Sequence, residues 1–289
     1  TSLCSPSRAS ILTGLYAHTH TIVDNQAPNP GNLIYFPEYL QEAGYQTAFF
    51  GKWHMGDESD DPQPGFHHWE SFKGQGVYTG VTLNINGEHT SYEDTVYTSD
   101  LLTEHAVEWM EQLESDQPFF VYLSHKAVHS QFKQAARHAG MYAGVEYELP
   151  ATYSQTQDES YKDLLWPEWV KQQRHSWHGV DFMYHAKGAV GDLVIDYCET
   201  LMGVDESIGT VMAYLEARGI ADETVVIYMG DNGFSWGEHG LIDKRHFYEE
   251  SAKVPLLVTC PDLFEGGKTL HSLVQNIDIA PTVMAMAGL

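Results

Sequence analysis

Basic residues are scarce in this chain. Its 289 residues include 15 Lys and Arg against 40 Asp and Glu, a formal net charge of −25. So acidic a surface repels nucleic acid and anionic membranes at long range, and neither is expected as a partner. A small anionic ligand, on such a background, requires a locally basic pocket. Cysteine is scarce as well. Cys4, Cys198 and Cys260 are too few to build a disulfide framework, and they leave the redox compartment unread. No apolar run reaches the length of a membrane span, and internal repeats and low-complexity tracts are lacking. No leader peptide is visible, but the chain begins with Thr1 and reads as a fragment of a longer protein, so that absence carries little.

What is present alternates between helix and strand. Residues 37–43 read as a short helix closed by Gly44, and 45–50 as a strand ending at Gly51-Lys52-Trp53-His54. Residues 99–113 place Leu102, Ala106, Trp109, Met110 and Leu113 on one helical face. The apolar run 119–123 reads as a strand followed by His125-Lys126-Ala127-Val128-His129. A long helix is expected from about 188 to 218, stopping at Gly219. Strands follow at 224–229, leading into Gly230-Asp231-Asn232-Gly233, and at 254–259; Pro281 opens a last helix. The length suits one large α/β domain or two small ones. The alternation predicts an α/β fold with a mainly parallel sheet covered on both faces. Three polar clusters lie just past strand C-termini, the edge at which open α/β sheets place ligands.

Residues 134–181 break the pattern. They are polar and aromatic-rich, with Tyr142, Tyr147, Tyr153, Tyr161, Trp166, Trp169 and Trp177. They read either as a lid or substrate loop, aromatic faces suiting sugar rings, or as a peripheral subdomain that buries its own aromatics.

The first polar residues are the most informative. Cys4-Ser5-Pro6-Ser7-Arg8 runs on through Ala9-Ser10-Ile11-Leu12-Thr13-Gly14. Pro6 and Ser7 suit a helix N-terminus, which sets position 4 against free backbone N–H groups and the positive dipole end. Arg8 lies one turn on, on the same face. In an extended segment Lys52 and His54 project to one side and Trp53 to the other. Asp231 and Asn232 offer adjacent hard oxygens, which a divalent cation favours.

The run from Cys4 to Gly14 resembles the C-x-P-S-R-x-x-x-L-T-G signature of the type I sulfatases. Gly51-Lys52-Trp53-His54 and Gly230-Asp231-Asn232-Gly233 resemble further motifs of that family, as does Lys244 with its flanking residues, all in the family's order. The resemblance implies an alkaline-phosphatase-like fold and hydrolysis of a sulfate ester. It implies that Cys4 is converted by a formylglycine-generating maturation enzyme to formylglycine, whose hydrated aldehyde is the covalent nucleophile. Arg8 would hold that hydrate and the metal ligands. Lys52 and Lys244 would bind the sulfate oxygens, with Arg245 adding to the pocket or facing solvent. His54 would be the base for eliminating sulfate. His129 is expected as the acid that protonates the leaving oxygen. His125 is expected either to touch substrate or to orient the loop, since Val128 stands where the family often has proline.

Calcium, or magnesium, would sit on Asp231 and Asn232 against position 4. The family's other metal ligands, an Asp pair on a strand before the signature, have no counterpart here: Asp57, Asp60 and Asp61 are wrongly placed. The family's smaller C-terminal subdomain is also missing, so the chain reads as a sulfatase catalytic domain truncated at both ends. The wording around Asp24-Asn25, Ser176-Trp177-His178-Gly179 and 243–251 points to bacterial enzymes acting on sulfated carbohydrates, the N-acetylglucosamine-6-sulfatase-like group among them. Family habit places such proteins in the periplasm or outside the cell. A phosphonate monoester or phosphodiester hydrolase of the same superfamily would share the formylglycine and the metal. A glycan-binding relative without catalysis would keep Cys4 unmodified.

Overall fold

A computed structural model describes residues 2–55, 59–158, 167–182 and 188–289. In chain order the elements are α1 (Cys4–Thr13), α2 (Ala17–His20), α3 (Phe36–Glu42), β1 (Gln46–Lys52), β2 (His68–Phe72), β3 (Thr82–Ile85), β4 (Glu88–Ser91), α4 (Thr98–Glu111) and β5 (Phe119–Ser124). Then come α5 (Glu168–Gln172), α6 (Val190–Arg218), β6 (Val226–Met229), β7 (Ser235–Trp236), β8 (Ile242–Asp243), α7 (Glu249–Ala252), β9 (Leu256–Thr259) and α8 (Ile279–Met286). The helices and strands expected from the sequence are present, with ends shifted by one or two residues.

The main sheet has the order β4-β3-β2-β1-β5. Its centre is parallel, β1 pairing in register with both β2 and β5. Its outer strands β3 and β4 turn antiparallel through a meander that the sequence reading did not anticipate. β2 reads His68-Trp69-Glu70-Ser71-Phe72 and buries polar and apolar residues alike, so it lacks the continuous apolar run of a central strand. Two short antiparallel ribbons, β6 with β9 and β7 with β8, complete the pairing.

The pleat of β1 divides the core. Phe49 enters a cluster with Leu12, Phe36, Leu40 and Trp53 on the α1 and α3 side. Ala48 and Phe50 enter a second cluster with Leu83, Leu101 and Leu102 under α4. Trp53 therefore packs inward, as its place in the strand suggests. At Gly51, φ is +110° and an added Cβ would lie 2.0 Å from the Ser124 carbonyl oxygen, so β1 and β5 can approach only over a glycine.

The expectation of a sheet covered on both faces does not hold at β9. All four of its residues are exposed, Leu257 to 59%, because no element of the described residues packs over them. Between β5 and β6 the pairing is also incomplete. Each strand leaves one edge unpaired among the described residues, and a cavity of about 1170 Å³ separates them. Its walls include Met110 of α4, Val204 and Leu215 of α6, and Val283 of α8, while Arg8, Lys52 and Asp231 stand at its polar end.

Candidate active site

Cys4 is the first residue of α1 and is buried. The N-cap residue Leu3 offers no capping side chain. Ser5 adds order by donating its amide to Asn25 Oδ1 at 3.1 Å and its hydroxyl to the His54 carbonyl at 2.6 Å. Burial alone would raise the Cys4 thiol. The Lys52 and Lys244 ammoniums and a hydrogen bond with His129 outweigh burial and the Asp231 charge, holding the thiol well below its ordinary value. His54 also hydrogen-bonds Cys4.

Arg8 organises the floor. Its Nε donates to Asp231 Oδ2 at 2.9 Å, and its Nη1 donates to the Lys52 carbonyl at 2.5 Å and to Ser124 Oγ at 2.7 Å. One guanidinium thus ties the ends of β1, β5 and β6 to α1. Ser7 adds a hydroxyl bond to the Asp231 carbonyl and accepts from Asn276 Nδ2 at 2.6 Å. Asp231 is held far below the usual carboxylate range: burial opposes its charge, but Arg8, Lys52 and Lys244 overcome it.

Lys52 closes β1 and is 2% exposed; Lys244 follows β8 and is 6% exposed. Burial pushes Lys52 down to about 8, with the Cys4 and Asp231 charges resisting. His129 falls to about 4, chiefly through burial and then through Lys52 and Lys244, and His54 is lowered by burial first. Both imidazoles are therefore neutral at neutral pH in the free site. His54 reaches Cys4 from a left-handed backbone (φ +50°) rather than from the extended segment expected, with Gln75 Nε2 3.0 Å from its Nε2.

Two expected site residues lie elsewhere. His125 is half-buried with Nε2 3.0 Å from Ser207 Oγ of α6, and desolvation lowers it to about 4. That contact ties the loop after β5 to α6. Arg245 pairs with the buried carboxylate of Asp243, which His178 Nδ1 approaches at 2.7 Å, so Arg245 joins that network rather than the cations around Cys4. Of the excluded acids, Asp60 accepts from His89 and Asp61 from Ser59, apart from the site, and Asp57 lies outside the described residues. The sequence reading missed Lys126, buried beside the expected histidines, and Tyr78, whose hydroxyl donates to the His129 carbonyl at 2.6 Å. Lys126 could have been found: it is a cation inside a His-rich loop at a strand end.

Asp231 and Asn232 adjoin as expected. Asn232 Nδ2 donates to the Gly233 carbonyl at 2.8 Å, while its Oδ1 is buried without a partner among the described residues. An orphaned amide oxygen beside a carboxylate is the donor chemistry of a hard divalent cation. Two side-chain oxygens are part of such a shell, and no group of three or more His, Cys, Asp or Glu poised for a metal occurs among the described residues.

In the 134–181 segment Tyr147 and Tyr153 pack with Val180, Leu193 and Ile242, while Trp169 and Trp177 stay exposed; Tyr161 and Trp166 lie outside the described residues.

A buried cysteine at a helix N-terminus, ringed by cations and two neutral imidazoles, forms a site suited to an anionic ligand. Comparison makes the class specific. The family model described as Sulfatase matches residues 1–289, and the chain belongs to that family. It is 31% identical to the N-acetylglucosamine-6-O-sulfatase of Bacteroides thetaiotaomicron, over 99% of this chain and 60% of that protein. Against the human N-acetylglucosamine-6-sulfatase the identity is 29%, over 99% of this chain and 53% of that protein. A solved structure of a protein in complex with its substrate D-glucosamine-2-N,6-O-disulfate superposes with a TM-score of 0.82 at 29% identity, covering all of this chain and 68% of that one. The fold is therefore alkaline-phosphatase-like. The chain spans a little over half the length of these curated relatives.

Proposed function

We propose that this protein hydrolyses the sulfate ester of a sulfated sugar, with 6-sulfated N-acetylglucosamine the leading substrate. The carrying observation is the convergence of Lys52, Lys244, His54 and His129 on buried Cys4. Lys52 and Lys244 hold the non-reacting sulfate oxygens and supply the basic pocket that an acidic surface otherwise denies. His54, neutral and bonded to position 4, accepts a proton there. His129 protonates the leaving sugar oxygen. In the free site it is unprotonated, and a bound sulfate ester raises its pKa by placing negative charge beside the ring.

Position 4 is Cys in the sequence, and its conversion to formylglycine by a maturation enzyme belongs to the same proposal. When present, formylglycine supplies the hydroxyl oxygen that attacks sulfur. A calcium ion, or magnesium, fits Asp231 and the orphaned Asn232 Oδ1, and when bound it offsets sulfate charge. The remaining oxygens, in this reading, come from a further strand lodged between the open edges of β5 and β6, whose C-terminal end falls at Asp231. Two unpaired edges around an apolar slot leave backbone groups that such a strand would satisfy. Residues 134–181 are assigned as a loop beside the sugar, with the exposed face of Trp169 available for stacking. Location outside the cytoplasm is carried over from the family.

The test is sulfate release by the full-length protein, produced with a formylglycine-generating enzyme and calcium. Its panel is 6-sulfated N-acetylglucosamine, other sulfated sugars, an aryl sulfate, a phosphonate monoester and a phosphodiester. Release from a sugar, lost in Cys4→Ala, supports the proposal. Faster phosphonate or phosphodiester turnover points to the sister activity. Glycan binding without turnover by a protein whose Cys4 is still a thiol would replace catalysis with recognition.

A further inference from the structure

Lys126 is a buried cation that the proposed chemistry leaves unused. It lies in the loop after β5 and is 8% exposed. Among the described residues no carboxylate pairs with it and no acceptor receives its ammonium. Its electrostatic partner is the face of Tyr78, 4.7 Å from Nζ to the ring centroid. Burial pulls Lys126 down to about 8, and Lys52 and Lys244 push the same way, so it remains largely charged at neutral pH. A buried ammonium with an aromatic face and two like charges for neighbours lacks an anion.

The position of that anion follows from Tyr78. The ring that carries Lys126 is fixed by its hydroxyl, which donates to the His129 carbonyl at 2.6 Å and accepts from the His129 amide at 3.1 Å. The ring also stacks with Tyr97, centroids 6.2 Å apart. Lys126 is thereby tied to the residue assigned to the leaving oxygen. Lys52 and Lys244, in contrast, dominate the field at Cys4, where the reacting sulfate sits. Lys52, Lys126 and His129 line one and the same cavity.

We propose that Lys126, seated on Tyr78, is a specificity-determining residue that binds a second anionic substituent, sulfate or carboxylate, on the leaving sugar. The assignment rests on the sulfate-ester reading above. It gives the site a preference for doubly charged saccharides over singly charged ones.

The experiment uses the full-length, matured protein and three substrates: 6-sulfated N-acetylglucosamine, glucosamine with N- and 6-sulfates, and a 6-sulfated glucosamine linked to a uronate. Lys126→Met is expected to raise KM for one or both doubly anionic substrates by a factor about tenfold larger than for the singly anionic one. Lys126→Arg should restore most of that difference. The substrate whose KM moves identifies sulfate or carboxylate as the bound group. Equal losses on all three substrates overturn the proposal, as does no loss on any. As a measurement independent of the variant's folding, the wild-type KM for the favoured doubly anionic substrate should rise more steeply with salt than that for the singly anionic one. Parallel salt slopes overturn it. A wild type inactive on every sulfate ester sinks the sulfate-ester reading instead.

Discussion

Arg8 and Asp231 are 223 positions apart in the chain and meet at 2.9 Å through Nε and Oδ2. The pair joins the helix that presents Cys4 to the strand end that presents Asp231 and Asn232. Arg8 spends its Nη1 on the Lys52 carbonyl and Ser124, so a single planar fork sets three loops. Lysine carries the charge but not the fork. Arg8→Lys is expected to cost about 2–4 kcal/mol in denaturant unfolding, because buried acceptors lose their donors. Turnover should fall at least about a hundredfold, read as kcat/KM on the sugar sulfate that the wild type prefers.

Tyr78→Phe separates the two jobs of that residue. The ring under Lys126 is kept, while the His129 amide and carbonyl lose their partner. The expected cost is about 1–3 kcal/mol of stability and roughly a tenfold drop in kcat, with the preference for doubly anionic substrates retained. A lost preference with unchanged kcat would contradict the division of roles.

Gly51→Ala should be among the worst substitutions in the sheet. The left-handed φ and the 2.0 Å approach to the Ser124 carbonyl leave no room for Cβ. A loss of about 3 kcal/mol or more is expected, read as a lowered urea midpoint, together with weaker activity from displaced Lys52.

Glu70 yields a pH prediction away from the site. It is buried on β2, its Oε1 2.8 Å from His68 Nε2 and its Oε2 2.6 Å from His105 Nδ1 of α4. Burial would raise Glu70, but hydrogen bonds from His105 and His68 bring it below the ordinary value; the Glu70 bond raises His105 against burial. The lowered carboxylate contributes stability above its unfolded pKa of about 4.3, lost as pH falls through the folded value. The raised imidazole contributes below its unfolded pKa of about 6.5, lost as pH rises through the folded value. Both contributions are present together between roughly pH 4.5 and 6.5. The clamp should therefore add to the Tm near pH 6 relative to pH 8. Thermal melts of Glu70→Gln should lose that difference; a wild-type pH profile unchanged in the variant would refute the clamp.

Much of this was legible in the sequence, for identifiable reasons. Continuous apolar runs fixed β1 and β5, and Gly219, with φ +71°, ended α6 where expected. Lys52 and His54, His129, and Asp231 lie at or past the ends of β1, β5 and β6, a placement that strand ends reveal, while Cys4 joins them from α1 and Lys244 from the loop after β8. The meander was not legible. β2 buries Glu70 by satisfying it with histidines from β2 and α4, and such pairing leaves no periodic trace. The roles of His125 and Lys126 were not legible either. Five adjacent residues leave the strand together, and only the turn of the loop sends His125 to Ser207 and Lys126 to Tyr78. Arg245 looked free for substrate because the buried carboxylate that engages it, Asp243, lies two residues away in a left-handed conformation.

The bond from Asn276 to Ser7 spans 269 positions. It fastens α1 to the segment leading into α8, and it has a consequence for synthesis on the ribosome. At about 5–20 residues per second, the helix that presents Cys4 emerges tens of seconds before the residue that pins it. Throughout that interval position 4 cannot be shut into its final surroundings. Vectorial synthesis therefore opens a period in which the thiol is reachable, and that period lasts at least until Asn276 arrives.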